Sequence, residues 1–193
     1  MNTSDAPGHY ALFPTELGIC GIAWRDGHVI STNLPEPSEA EIRDRLVRRS
    51  GGAEPGTPPQ WVRQAIDAIT ALLAGNPNDL AFIPCDYGQA DDFRVKIYQL
   101  TRTIPPGETT TYGDIAERLG NKRFAQAVGQ AMGHNPLPII VPCHRVMGAN
   151  GKLTGFSANG GIETKLRMLD IERAAIGAEA GLFGHLPLAI KPK

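Results

Sequence analysis

In Asn135-Pro-Leu-Pro-Ile-Ile-Val-Pro-Cys-His-Arg-Val146, an apolar β-branched run, Ile139 to Val141, is followed directly by Pro142 and then by Cys143-His144-Arg145. The run predicts a short buried strand. Pro142 removes a backbone donor and fixes the local dihedral, so Cys143 is expected where the strand meets a turn. A thiol attacks carbon as its thiolate, and at an unperturbed pKa of about 8.5 only a minor fraction is ionised at neutral pH. His144 is the obvious acceptor for that proton. Adjacent residues of an extended chain point to opposite faces, so the imidazole reaches the thiol only if the backbone turns or a water bridges the two; a bridging water is the expectation. A carboxylate would orient the imidazole. Glu172 is the first candidate, on a helix expected from about Ile162 to Arg173, although spacing alone does not select it over Glu163 or Asp170. An isolated Cys-His dipeptide is more often a buried structural thiol beside an ordinary histidine.

Upstream of this stretch the pattern is helical. Asp91 and Asp92 cap a helix carrying Phe93, Ile97, Tyr98 and Leu100, which stops before the rigid turn Ile104-Pro-Pro-Gly-Glu108. Thr111 precedes a short helix, Tyr112 to Leu119, and Gly120-Asn121 supplies a turn before a further helix, Arg123 to Met132. Short helix, tight turn, short helix is the helix-turn-helix plan.

The first part of the chain has a different character. Gly18 to Trp24 and His28 to Asn33 flank Asp26-Gly27 and predict a β-hairpin. Ser38, with Glu41 three residues on, starts a helix that Gly51-Gly52 ends; a second runs from about Gln60 to Gly75; Leu80 to Ile83 is a further candidate strand. The fold class expected is an α/β N-terminal domain, residues 1–88, plus a mainly α C-terminal domain, residues 89–175, with a helix-turn-helix of winged-helix type. Met1 to His9 is expected to be a short mobile arm, and the tail, residues 176–193, to lie back on the body through Leu182, Phe183, Leu186 and Leu188.

Composition narrows the class. A chain of 193 residues with 41% hydrophobic content can bury a core, which excludes disorder and fibrous architectures. Its three cysteines, Cys20, Cys85 and Cys143, are scattered and lack any Cys-x-x-Cys, so a disulfide framework or zinc site is not expected and the protein is expected to be intracellular. Nothing near the N-terminus suggests a signal peptide or membrane span. The formal net charge of -1 hides an asymmetry of about -5 before residue 91 and +3 from there to Arg173. That permits nucleic-acid binding by the second part, though an ordinary solvated surface gives similar numbers.

With Ala127-Val-Gly-Gln-Ala-Met132 before it and Gly151-Lys-Leu-Thr-Gly-Phe156 after it, the Asn135–Val146 block resembles the active-site region of the O6-alkylguanine-DNA alkyltransferases. The resemblance is dense from about Asp92 to Glu172 and implies a definite reaction. Cys143 would accept the alkyl group from O6-alkylguanine, and possibly from O4-alkylthymine, once and irreversibly. His144 and Glu172, with a water, would ionise it, and Asn135 would brace the turn, a residue that could equally be a plain helix cap. Tyr112 would stand by the flipped nucleotide, and Ser157 would line the base pocket. The helix Arg123 to Met132 would enter the minor groove, its small residues Ala125, Ala127, Gly129 and Ala131 allowing either close approach to DNA or close packing on another helix. Arg94, Lys122, Arg123 and Asn121 would meet the DNA backbone. One departure is clear: Gln126 stands where the family usually has an arginine that fills the space left by the extruded base. The partner implied is double-stranded DNA carrying alkylated guanine, bound by a monomer, with no membrane and no cofactor. The competing class is a non-catalytic lesion sensor resembling the alkyltransferase-like proteins; those typically lack the acceptor cysteine, which this chain keeps.

Overall fold

The computed structural model describes residues 7–174; most of the expected N-terminal arm and the whole of the expected tail lie outside them. Strands β1 (His9–Thr15), β2 (Gly18–Arg25), β3 (His28–Asn33) and β4 (Glu54–Pro55) form one sheet in the order β3-β2-β1-β4. β1, β2 and β3 run antiparallel in succession, while β4 is parallel to β1. The expected hairpin is β2-β3, turned at Asp26 (φ 49°) and Gly27 (φ 77°), the positive dihedrals that a two-residue type I′ turn requires. His9 corrects the arm expectation by starting β1. The signal was present as alternation: Tyr10 and Leu12 face one side of the sheet, Ala11 and Phe13 the other.

Both faces of the sheet are covered. Tyr10, Ala23 and Ile30 pack against Ile42 and Leu46 of α1 (Glu39–Ser50), a helix capped by Ser38, which accepts from Glu41 N at 3.3 Å, and ended by Gly51 at φ 75°. Phe13, Cys20, Ile22, Trp24 and Val29 face α2 (Gln60–Leu73). Gly21 lets α1 approach β2: a Cβ there would lie 2.5 Å from Leu46 Cδ1 and 3.0 Å from Ile42 Cγ2. Gly21→Ala is therefore expected to destabilise the fold by about 1–3 kcal/mol, the usual cost of overpacking. The check is a lower urea midpoint at unchanged slope.

The second half is mainly helical among the described residues: α3 (Asp92–Arg102), α4 (Tyr112–Arg118), α5 (Ala125–Gly133) and α6 (Ile162–Ile171), with a two-residue parallel pairing of β5 (Thr110–Thr111) and β6 (Val146–Met147) and an isolated bridge between Pro138 and Val141. Asp91 caps α3 by accepting from Arg94 N at 2.8 Å, and Thr111 with Asp114 forms a reciprocal capping box on α4. The helix expected over Arg123–Met132 is divided: a 3-10 turn, Lys122–Phe124, leads into α5. One hydrophobic cluster runs through both halves, from Phe13, Trp24 and Val29 through Ile69 and Leu72 to Ile97, Tyr98, Val128 and Val141. β3 is also stitched to the segment after α5, with Thr32 N donating to Pro136 O (3.1 Å) and Thr32 Oγ1 to Pro138 O (2.6 Å).

Two expected strands are absent. Leu80–Ile83 is a turn, with Leu80 at φ 54° and both Leu80 and Ile83 buried. Asn78 and Asp79 side chains accept from the backbone N–H groups of Leu80 (3.0 Å) and Ala81 (2.9 Å), and Arg102 donates to the carbonyls of Leu80, Ala81 and Ile83, so local side chains satisfy what a ladder would have. Ile139–Val141 is likewise a turn, with Ile139 at φ 79° and Val141 N donating to Leu137 O at 2.8 Å. Prolines at 136, 138 and 142 deprive that segment of the donors a strand needs.

Candidate active site

The backbone curls at the cysteine instead of running extended. Pro142 (φ −79°, ψ 65°) is the centre of an inverse γ-turn closed by Cys143 N donating to Val141 O at 2.8 Å. Cys143–Arg145 then form one 3-10 turn, with Arg145 N donating to Pro142 O at 2.9 Å. The premise of opposite-facing neighbours therefore does not apply. Asn135 holds the curl from inside: its Nδ2 donates to Val141 O (2.9 Å) and to Cys143 Sγ (3.4 Å), and its Oδ1 accepts from Leu137 N (2.9 Å). A helix-capping asparagine would have left the sulfur untouched.

Glu172 lies one residue beyond α6, at its C-cap, and of the three acidic candidates it is the one that reaches His144. His144 Nε2 is 2.9 Å from Glu172 Oε1. A carboxylate only accepts, so Nε2 carries the hydrogen and Nδ1 bears a lone pair. Nδ1 is buried and has no hydrogen-bond partner among the described residues. Arg145 grips the same carboxylate with a two-pronged fork, Nε to Oε2 at 2.9 Å and Nη2 to Oε1 at 2.7 Å, and spends Nη1 on Ile104 O at 2.6 Å. Burial alone would raise the Glu172 carboxyl; hydrogen bonds and charge from His144 and Arg145 override it and hold the group at about 2. Burial lowers His144 against the pull of Glu172, and burial raises the Cys143 thiol against the hydrogen bond from Asn135. The resting pair is thus a neutral imidazole and a protonated thiol.

Cys143 opens on a cleft of about 300 Å³ lined by Tyr112, Gly129, Met132, Gly133, Gly155, Phe156 and Ser157. The cleft thereby gathers three of the sequence candidates, Tyr112, Gly129 and Ser157, around the sulfur. The Tyr112 oxygen accepts from Thr154 Oγ1 at 3.1 Å, which leaves the phenol hydrogen free to donate. The other candidates stand apart. Gln126 is exposed near the start of α5, Arg94 reaches toward Asp91 (3.7 Å), and Lys122 toward Glu117 (3.3 Å). Arg123 is exposed, and Asn121 uses its side-chain oxygen to cap the 3-10 turn through Arg123 N at 2.9 Å. Of the small residues of α5, Ala131 is buried and offers its carbonyl to Tyr98 Oη at 3.0 Å, whereas a Cβ on Gly129 would lie 4.0 Å from the Tyr112 ring. Of these small residues only Ala131 is buried in packing, and Gly129 has room for a methyl beside Tyr112.

Sequence reasoning missed Arg145 as the second partner of Glu172, and Lys165. Lys165 is fully buried and donates its amine to Val146 O at 2.6 Å. A signal existed for it: the lysine lies three and four residues before buried Met168 and Leu169, in the apolar stripe of α6. No comparable sign marks Arg145. Among the described residues no cluster of His, Cys, Asp and Glu could hold a metal ion, all three cysteines are free, and no helix is long and apolar enough to cross a membrane.

A buried cysteine with an adjacent histidine–glutamate pair, set in a helical unit that follows an α/β unit, defines a class of cysteine-centred proteins. Residues 92–174 match the family model described as 6-O-methylguanine DNA methyltransferase, DNA binding domain. A methylated-DNA-protein-cysteine methyltransferase of Mycolicibacterium paratuberculosis is 37% identical over 180 residues, covering 90% of this chain and 98% of the relative. One from Methanosarcina acetivorans is 40% identical over 167 residues, covering 85% and 97%. Among solved structures, the Mycobacterium tuberculosis protein described as OGT in complex with DNA superposes with a TM-score of 0.68 at 35% identity, covering 91% of this chain and 99% of that one. The chain belongs to the methylated-DNA-protein-cysteine methyltransferase family.

Proposed function

We propose that this protein repairs DNA directly, by moving the alkyl group of O6-alkylguanine onto Cys143 in a single turnover. The observation that carries the mechanism is the hydrogen bond of His144 Nε2 to Glu172, which leaves the buried Nδ1 without a partner among the described residues and free to act as a base. The thiol proton passes through a water to Nδ1, and the carboxylate of Glu172 stabilises the imidazolium that forms. The sulfur attacks the alkyl carbon, a carbon–sulfur bond forms and the carbon–O6 bond breaks. Its electron pair stays on the departing guanine, where the free phenol hydrogen of Tyr112 meets the developing charge. Asn135 aims the sulfur throughout. The thioether has no route to hydrolysis, so one protein molecule removes one alkyl group.

In this reading residues 89–175 carry the DNA-binding and catalytic functions, and residues 1–88 form the α/β companion. α4 and α5 act as a helix-turn-helix whose second helix enters the minor groove. The damaged base leaves the stack for the cleft beside Cys143, with Gly129 and Ser157 on its walls. Arg94, Asn121, Lys122 and Arg123 meet phosphates.

Incubation with duplex DNA carrying O6-methylguanine tests the proposal. The expected result is a mass gain of one methyl on the Cys143 peptide, with an end point equal to the amount of protein. Repeated turnover, or an unmodified protein that still holds the lesion, would sink it; the second is the behaviour of a sensor.

Gln126 tunes the same event. Glutamine can hydrogen-bond to the orphaned base but lacks the charge and the stacking plane of arginine. Gln126→Arg is expected to tighten binding of alkylated duplex by roughly 5–30-fold while leaving the transfer rate at saturating DNA unchanged, since each such contact is worth on the order of 1–2 kcal/mol. Titration and single-turnover kinetics separate the two, and an unchanged affinity refutes the assignment.

A further inference from the structure

A second cavity, with room for about one water-sized group, also reaches Cys143 and shares Met132, Phe156 and Ser157 with the base cleft. Its other wall comes from the first half of the chain and includes Asn33, Glu36, Arg45 and Arg49. Three of these satisfy one another. Arg45 Nη1 is 3.0 Å from Glu36 Oε1, and Asn33 Nδ2 donates to the same oxygen at 3.3 Å. Arg49 is exposed and pairs with no carboxylate among the described residues. The cavity is left with one uncompensated positive charge, carried by the last turn of α1.

We infer that Arg49 is a further residue of the reaction, acting across this cavity through its field to favour the thiolate of Cys143. Thus α1, which carries none of the active-site motif, becomes an electrostatic part of the site. The other ionisable groups around the sulfur are Lys165 from α6, His144 on its own turn with Arg145 and Glu172 behind it, Tyr98 from α3, Tyr112 from α4, and the mutually neutralised Glu36 and Arg45. Of the cations, Arg145 is neutralised by Glu172, whereas Lys165, hydrogen-bonded only to the neutral Val146 carbonyl, and Arg49 both keep their charge; Arg49 is the one that lines this cavity. Burial pushes the thiol up, the Asn135 hydrogen bond and then the charge of Lys165 work against that push, and the charge of Arg49 across the cavity adds to them. The Arg49 guanidinium is itself lowered, by burial first and then by Arg45 and Arg48, with Glu36 and, last, an anionic Cys143 opposing the shift.

The inference rests on Cys143 being the nucleophile, and its test does not use DNA. The rate of Cys143 alkylation by iodoacetamide is followed against pH by the mass of the Cys143 peptide. Arg49→Gln is expected to move the midpoint up by about 0.5–1 pH unit, the effect of one partly screened unit charge at close range. Arg49→Lys, which keeps the charge, is expected to restore most of the shift. Arg48→Gln, one residue away and outside the cavity, is expected to leave the midpoint in place. On the unaltered protein, raising salt to about 1 M should also move the midpoint up, and less so in Arg49→Gln. A midpoint that stays put in Arg49→Gln overturns the inference even if transfer from DNA slows, because the arginine would then act on DNA or packing. A lysine variant that behaves like glutamine also overturns it. Failure of methyl transfer from O6-methylguanine duplex in the unaltered protein would instead refute the proposed repair activity, without touching the midpoint shift.

Discussion

Glu172→Gln is expected to cost about 3–5 kcal/mol of folding stability at neutral pH, the usual penalty for removing one partner of a buried ion pair. The side chain is 1% exposed, and Arg145, at 2%, cannot shed its proton. Glutamine preserves shape and one accepting oxygen but leaves the guanidinium buried without a counter-charge. Against a typical domain stability of about 5–15 kcal/mol, that loss is large enough to read directly from urea unfolding. The pH dependence gives an independent sign. Glu172 is held at about 2 in the folded protein, below the ordinary carboxylate value of about 4.3 when unfolded. Its contribution is therefore fully present above pH ~4.3 and is lost as pH falls through about 2, by about 3 kcal/mol in all. The gap between the two proteins should close over that acid window. A gap of constant size from neutral pH down to about pH 2 would show that the carboxylate's charge is not what stabilises the site. The same substitution removes the counter-charge of the His144 imidazolium, so transfer is expected to slow by roughly 10²–10⁴-fold.

Cys143→Ala is expected to abolish alkyl transfer completely while leaving the protein folded and able to hold alkylated duplex. The sulfur is the only atom that receives the alkyl group in the proposed reaction. Its loss removes only the weak sulfur partner of one Asn135 Nδ2 hydrogen, while the other keeps Val141 O at 2.9 Å. The destabilisation is therefore expected to stay near about 1 kcal/mol, the ordinary size for a small buried change. Cys143→Ser is expected to be inactive as well, since a hydroxyl is a far weaker nucleophile than a thiolate toward a saturated alkyl carbon. Incubation with O6-methylguanine duplex, followed by protein mass and by retention of the duplex on a gel, reads both halves of the prediction. A methyl gained elsewhere on the alanine variant would move the acceptor role away from Cys143.

The local rules that could be applied without knowing the fold worked where local forces dominate. Ser38, Asp91 and Thr111 cap the helices they were expected to cap, because each cap needs only its own side chain and an N–H two or three residues on. Asp26-Gly27 turns the hairpin for the same reason. Apolar runs misled twice. Leu80, Ile83 and the run Ile139–Val141 are buried as strand residues would be, but Asn78, Asp79, Asn135 and neighbouring prolines supply or remove the hydrogen bonds that would have made them strands. Burial is a property of composition, whereas the partner of each backbone group depends on what lies nearby.

The sequence by itself determined the helical second half, the hairpin, and the pairing of a cysteine with an adjacent histidine as the chemically distinctive feature, since these follow from spacing and side-chain chemistry within a few residues. Only the tertiary structure decided which carboxylate serves His144, that Arg145 shares it, that Asn135 touches the sulfur, and that Arg49 from α1 lines a cavity at Cys143. Those groups are brought together by packing across the whole chain. A charge in a buried site acts through distance in space, and separation along the sequence carries no record of it.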